Sequence, residues 1–134
     1  MLTRRGFAGC AVCAAVGLAA TGVKAQPAQT PGITRTVLQS TDLNDTHMTV
    51  LVRLEVAPGT PIARHTHPRI ESFYILEGEL EFSAQGQPDK VVKAGEGGQV
   101  PPYTPHGGRA GGDRPMKAVI TYVVEKGKPL ASPA

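Results

Sequence analysis

Along residues 48–56 the apolar side chains Met48, Val50, Val52, Leu54 and Val56 alternate with Thr49, Leu51, Arg53 and Glu55. An extended chain turns successive side chains to opposite faces, so this period of two predicts a half-buried strand with one apolar face. Ala57-Pro58-Gly59 ends it. Residues 33–39 read as an earlier strand, separated from it by a polar turn over 40–46. Downstream, residues 71–84 read as two short runs meeting at Glu77-Gly78, the pattern of a tight hairpin. Turns at 86–89 and 95–98 flank a short strand over 91–94, and strands recur at 99–101 and 117–124. The cluster GGRAGG at 107–112 has no helical pattern behind it and reads as a mobile loop. No stretch beyond residue 25 sustains a period of 3.6 with caps, and the chain carries sixteen glycines and twelve prolines. These features predict an all-β domain. The closing EKGKPLASPA reads as a tail that leaves the sheet.

The amino terminus belongs to a different pattern. Thr3-Arg4-Arg5-Gly6-Phe7 precedes an Ala/Gly/Val-rich run over 8–20 that is too short and too weakly apolar to span a bilayer stably. Val23-Lys24-Ala25 then offers a small-x-small cleavage site. The segment looks like a twin-arginine export signal, which implies a periplasmic or secreted protein exported in the folded state. Both cysteines, Cys10 and Cys13, fall inside it. The mature chain therefore has no disulfide framework and no thiol chemistry. Setting aside Arg4, Arg5 and Lys24 leaves eleven basic against eleven acidic residues. A near-neutral mature chain gives no electrostatic footprint for nucleic acid, and no stable membrane span remains once the signal is removed.

The expected organisation is an export signal over 1–25, a flexible lead-in and first strand over 26–46, a barrel over 47–126 and a tail over 127–134. The core of such a chain is modest, so pairing into a homodimer is expected to help cover apolar surface and sheet edges.

Candidate chemistry concentrates in residues 59–78, GTPIARHTHPRIESFYILEG. His65 and His67 share a face of an extended strand, and Glu71 keeps that parity if the strand resumes after Pro68. Two imidazoles and a carboxylate then converge, a donor set suited to iron, manganese, nickel, copper, cobalt or zinc. The frame Gly59, His65, His67, Glu71 and Gly78 matches G-x5-H-x-H-x3-E-x6-G at every fixed position. This resembles the first signature motif of the cupin superfamily.

A second cupin motif, G-x5-P-x-G-x2-H-x3-N, is matched by Gly95, Pro101 and His106, whereas Tyr103 replaces its glycine and Ala110 its asparagine. Because tyrosine resists positive φ, the turn before His106 is expected to be built differently from the motif. The resemblance covers residues 50–124. It implies a small antiparallel jelly-roll barrel, with one divalent transition metal per chain held by His65, His67, Glu71 and His106.

Three imidazoles and one carboxylate leave two positions of an octahedral ion for water or a small-molecule ligand. The resemblance implies either a metal-dependent dioxygenase, isomerase or lyase acting on a small oxygen-bearing molecule, or a non-catalytic metal- or ligand-binding module of the cell envelope. Tyr103 is the candidate catalytic side chain, a phenol three residues before His106; the alternative is an outward tyrosine over a loop. Tyr74 reads as barrel filler, Arg64 by parity leaves the ligand face, and His47 reads as a surface histidine.

Overall fold

The computed structural model describes residues 30–134, and every regular element among them is a strand. The expected export signal lies outside the described residues. In chain order the strands are β1 (Ile33–Asp42), β2 (His47–Val56), β3 (Pro61–Thr66), β4 (Glu71–Glu77) and β5 (Glu79–Ala84). They continue as β6 (Lys90–Lys93), β7 (Gly97–Val100), β8 (His106–Ala110), β9 (Met116–Glu125) and β10 (Ser132–Pro133). Two antiparallel five-stranded sheets result, ordered β1-β2-β9-β4-β7 and β10-β3-β8-β5-β6. This is the all-β fold expected from the strand and turn pattern, in the jelly-roll form that the resemblance implied.

The alternation of β2 holds: Val50, Val52, Leu54 and Val56 are buried, and their partners Tyr122, Ile120, Ala118 and Met116 on β9 are buried with them. Phe73 and Ile75 on β4 and Leu80 and Phe82 on β5 complete the packing between the sheets. The inward Ile75, Met116, Val56 and Val100 are under 2% exposed. Close packing of this apolar layer sets the sheet separation on which the site depends.

Four local readings need correction. The 71–84 stretch is not a hairpin, because β4 pairs with β7 and β9 in one sheet while β5 pairs with β6 and β8 in the other. Gly78 is the corner where the chain changes sheets: its φ is 71°, and a Cβ would stand 2.5 Å from the Pro115 carbonyl oxygen. Only glycine meets both demands.

The GGRAGG cluster is not a mobile loop. Its first four residues belong to β8, bonded to β3 on one side and β5 on the other. Its glycines reflect close approach, since a Cβ on Gly107 would lie 2.8 Å from the Ile62 oxygen and one on Gly108 would collide with the Glu81 oxygen. Tyr74 is 47% exposed on the outer face of β4 and so does not fill the barrel. The chain end, finally, does not leave the sheet: Ser132 and Pro133 pair with Thr66 and His65 at the edge of β3.

Candidate metal centre

His65, His67, Glu71 and His106 come together, with one donor atom from each lying within 4.8 Å of all the others. Both sheets contribute. His65 is next to last in β3 and is the register partner of His106, the first residue of β8. Glu71 opens β4 in the opposite sheet, where it faces Tyr122 on β9 and Val100 on β7. His67 sits in the link between β3 and β4.

Strand parity alone does not set this geometry. Ile62 pairs with Gly108 and His65 with His106, so three steps along β3 oppose two along β8. This β-bulge accommodates Ala63 and Arg64, both exposed, and aims Ile62 and His65 into the same interior. The bulge is also what crowds Gly107, whose Cβ would meet Arg64 as well as Ile62.

Each ring is oriented by a backbone carbonyl. His65 Nδ1 donates to Ala63 O at 2.7 Å, His67 Nδ1 to Leu130 O at 2.7 Å, and His106 Nδ1 to Thr104 O at 2.8 Å. A carbonyl oxygen only accepts, so each Nδ1 carries the proton and each neutral ring keeps its lone pair on Nε2. Glu71 Oε2 lies 2.7 Å from His67 Nε2 and 3.2 Å from His106 Nε2. Despite the short distance, His67 Nε2 is buried with no partner in hydrogen-bonding geometry. Lone pairs converging on a carboxylate oxygen repel unless a cation sits among them, and backbone carbonyls that fix Nδ1–H are the usual support of a metal-bound histidine. The residues present therefore fit a divalent transition ion.

Without an ion, protons take over part of that role. Burial acts against the Glu71 carboxylate, but the His106 hydrogen bond and the close approach of the His67 and His106 imidazoles outweigh it and bring its pKa down to about 2. Burial disfavours charged His106 too, and is outweighed by Glu71 and the Thr104 carbonyl, so its pKa rises. The His65 pKa falls, chiefly through burial, with the other two imidazoles adding to the effect.

Two cavities adjoin the cluster. An inner one of about 50 Å³ lies between the sheets against His65, Glu71 and His106, with Leu54, Ile75 and Phe82 among its apolar walls. An outer one of about 230 Å³ lies against His65 and His67, closed on one side by residues 130–133. Tyr103 lines neither cavity; it is 71% exposed, and its contribution to the site is a backbone N–H donated to His67 O at 2.8 Å.

Tyr103 also adopts the conformation it was expected to resist, with φ 55° at the position where the motif has glycine. The turn is thus built as in the motif, with a strained residue inside it. His47 stays apart from the cluster, 2.8 Å from Thr46 Oγ1 and 3.3 Å from an Arg69 nitrogen.

The tyrosine that does reach the centre is Tyr122. It is 6% exposed, its ring lies 4.8 Å from that of His67, and it lines both cavities. Burial first, and then the Glu71 charge, push its phenol pKa well up, so it stays protonated. Its inward parity on the alternating run 116–124 was a signal available in the sequence.

A profile of the cupin domain family matches residues 52–124. No functionally curated protein matches the chain by sequence. Among solved structures, an uncharacterized conserved protein with a double-stranded β-helix domain from Klebsiella pneumoniae superposes with a TM-score of 0.59 at 25% identity, covering 77% of this chain and 90% of that one. A DMSP lyase from Ruegeria pomeroyi superposes with a TM-score of 0.57 at 26% identity, covering 68% and 44%. KdgF from Halomonas sp. gives a TM-score of 0.57 at 21% identity, covering 77% and 87%, a likeness of fold. The chain thus spans less than half the length of the DMSP lyase. Among the described residues, no helix is long and apolar enough to cross a membrane.

Proposed function

The chain belongs to the cupin family, and from that premise we propose that it is a small metal-dependent enzyme of the lyase, isomerase or dioxygenase type, acting on a small oxygen-bearing organic molecule. The observation that carries this reading is the convergence of three carbonyl-oriented imidazoles and one buried carboxylate beside a cavity. His65, His67, His106 and Glu71 would hold one divalent ion, whose bound form supplies Lewis acidity at an open position.

The chain's own residues do the rest. Leu54, Ile75 and Phe82 keep water out of the inner cavity, which strengthens every electrostatic interaction inside it. Tyr122 holds its proton on Oη next to the His67 ring and serves as a neutral donor, the part first considered for Tyr103. The likeness to a DMSP lyase makes lyase chemistry the first to test.

The test has two stages. Elemental analysis of the purified mature protein should find one transition ion per chain, and a His65→Ala, His67→Ala double variant should lose it. Small oxygen ligands should then perturb the spectrum of the cobalt-loaded protein, and turnover should be sought with and without dioxygen. A coordinatively closed ion, inert to every ligand, would refute the enzyme and favour a metal-binding module of the envelope.

Two further readings belong to the same proposal. Export through the twin-arginine route is supported by Arg4-Arg5 and the Ala25-Gln26 junction; replacing both arginines by lysine should leave a longer precursor in the cytoplasm, and normal delivery would refute it. A homodimer is supported by Leu51, Tyr74 and Leu76, which stay exposed on β2 and β4; a monomer in sedimentation at micromolar concentration would refute it.

A further inference from the structure

Among the described residues, every one that lines the inner cavity is buried except Arg35, Ile62 and His65, which are half-buried. All three also line the outer cavity, together with Tyr122. The outer cavity borders solvent at Thr30, Ala63, Arg64, Ser132 and Pro133, all of them exposed. It is walled by β1, the end strand of one sheet, and by β10 and β3 at the end of the other. The way from solvent to the inner face of the ligand cluster therefore runs through the outer cavity and past the four shared side chains.

Three of the four already have a task. His65 belongs to the cluster, Tyr122 packs against the His67 ring at 4.8 Å, and Arg35 has an interaction of its own. Ile62 has no polar side-chain atom to offer, so what it contributes to the partition is bulk. Its place is fixed. The bulge of β3 makes Ile62 and His65 successive inward residues, Ile62 pairs with Gly108, and its carbonyl oxygen lies where a Cβ on Gly107 would come within 2.8 Å. On a backbone held in this way a β-branched side chain has few χ1 choices and does not swing aside freely.

Resting on the metal-centre reading above, we propose that Ile62 is a specificity-determining residue: it admits a short, unbranched apolar tail of the substrate to the inner cavity and excludes branched or longer ones, while the oxygen-bearing end stays at the ligand cluster. Space and chemistry define the tail. The inner cavity of about 50 Å³ holds about four water-sized groups. Beyond the cluster its walls are apolar, Leu54, Ile75, Phe82 and Met116 among them, so a charged or hydroxylated tail would lose its water there and gain no partner.

Alkyl hydroxamates chelate a transition ion through two oxygens and differ only in their tails. They are titrated into the cobalt-loaded full mature protein, with cobalt content measured in every sample and binding read from the visible spectrum. Affinity should rise about fourfold per tail carbon up to tails of about four carbons and stop rising there. Pentanohydroxamate should bind at least tenfold more tightly than its branched isomer pivalohydroxamate. Ile62→Ala should remove most of that discrimination, and Ile62→Phe should abolish the gain with tail length. Both variants should keep one cobalt per chain and the wild-type affinity for acetohydroxamate. Equal binding of the two isomers by the wild type, or a gain that continues to tails of seven carbons, would overturn the proposal without recourse to any variant. So would variants that keep the wild-type profile. Dissolved xenon tests the partition without a metal: its exchange with the inner cavity of the metal-free protein, read by xenon magnetic resonance, should be at least tenfold faster in Ile62→Ala than in Ile62→Phe. Failure to take up cobalt would overturn the metal centre, whereas xenon exchange indifferent to residue 62 would overturn the partition alone.

Discussion

Replacing Glu71 by glutamine tests the electrostatics of the metal-free centre. The carboxylate is 6% exposed and its pKa falls from 4.5 to about 2, the imidazoles outweighing burial. That drop corresponds to about 3 kcal/mol of folding stability, at about 1.4 kcal/mol per tenfold change in proton affinity. Because the folded pKa is depressed, this contribution is complete above 4.5, the ordinary value, and is lost as pH falls toward 2. His106 titrates in the opposite sense. Its pKa is raised, so its share is complete below 6.5 and is lost as pH climbs through the folded value. Both shifts describe one ion pair, and their energies are not to be added.

Urea unfolding of chelator-treated wild-type and Glu71→Gln protein across pH 2–9 reads the effect directly. The wild type should exceed the variant by about 3 kcal/mol between its two titrations, with the gap closing on the acid side and shrinking on the alkaline side. A gap independent of pH would show that Glu71 acts through shape or hydrogen bonding alone and would refute the ion-pair account.

Three other outcomes follow from the geometry. Deleting residues 130–134 removes the carbonyl that orients His67 and should weaken metal binding about tenfold to a hundredfold, measured by competition with a chromophoric chelator. Tyr103→Gly relieves the positive φ and should raise stability by up to about 1 kcal/mol in thermal unfolding, while Tyr103→Phe should leave metal affinity unchanged. Metal affinity should begin to fall above pH 6.5 on acidification, because His106, with its raised pKa, is the first ligand to be protonated; a constant affinity from pH 8 to 6 would contradict that order.

How far the sequence led depends on how local each feature is. Three members of the candidate cluster were legible because the period of two works over the short spacings of His65, His67 and Glu71, while His106 was reached through the resemblance of its motif alone. The apolar face of β2 was legible for the same reason. Which sheet a strand joins is a non-local matter, and there the period of two is silent. Glu77-Gly78 looks the same as a hairpin tip and as a corner between sheets; only the Pro115 carbonyl, far along the chain, decides. The glycines of β8 resembled a loop because the reason for them lies in the bulge of β3 and in Glu81 of β5. Tyr122 shows both sides: the period of two turns it inward, but the cluster it meets there is brought by pairing partners distant in sequence.

The division of ligands between the two sheets has a kinetic consequence. An ion held by His65 and His106 from one sheet and Glu71 from the other would be a rivet through the sandwich. Its full release would need the sheets to part at that end, so exchange would be tied to the breathing of the fold as well as to the lability of single metal–ligand bonds. A rivet set during folding records the ions available at that place and time. For a chain that crosses a membrane already folded, the compartment of synthesis, not the compartment of residence, would choose the metal.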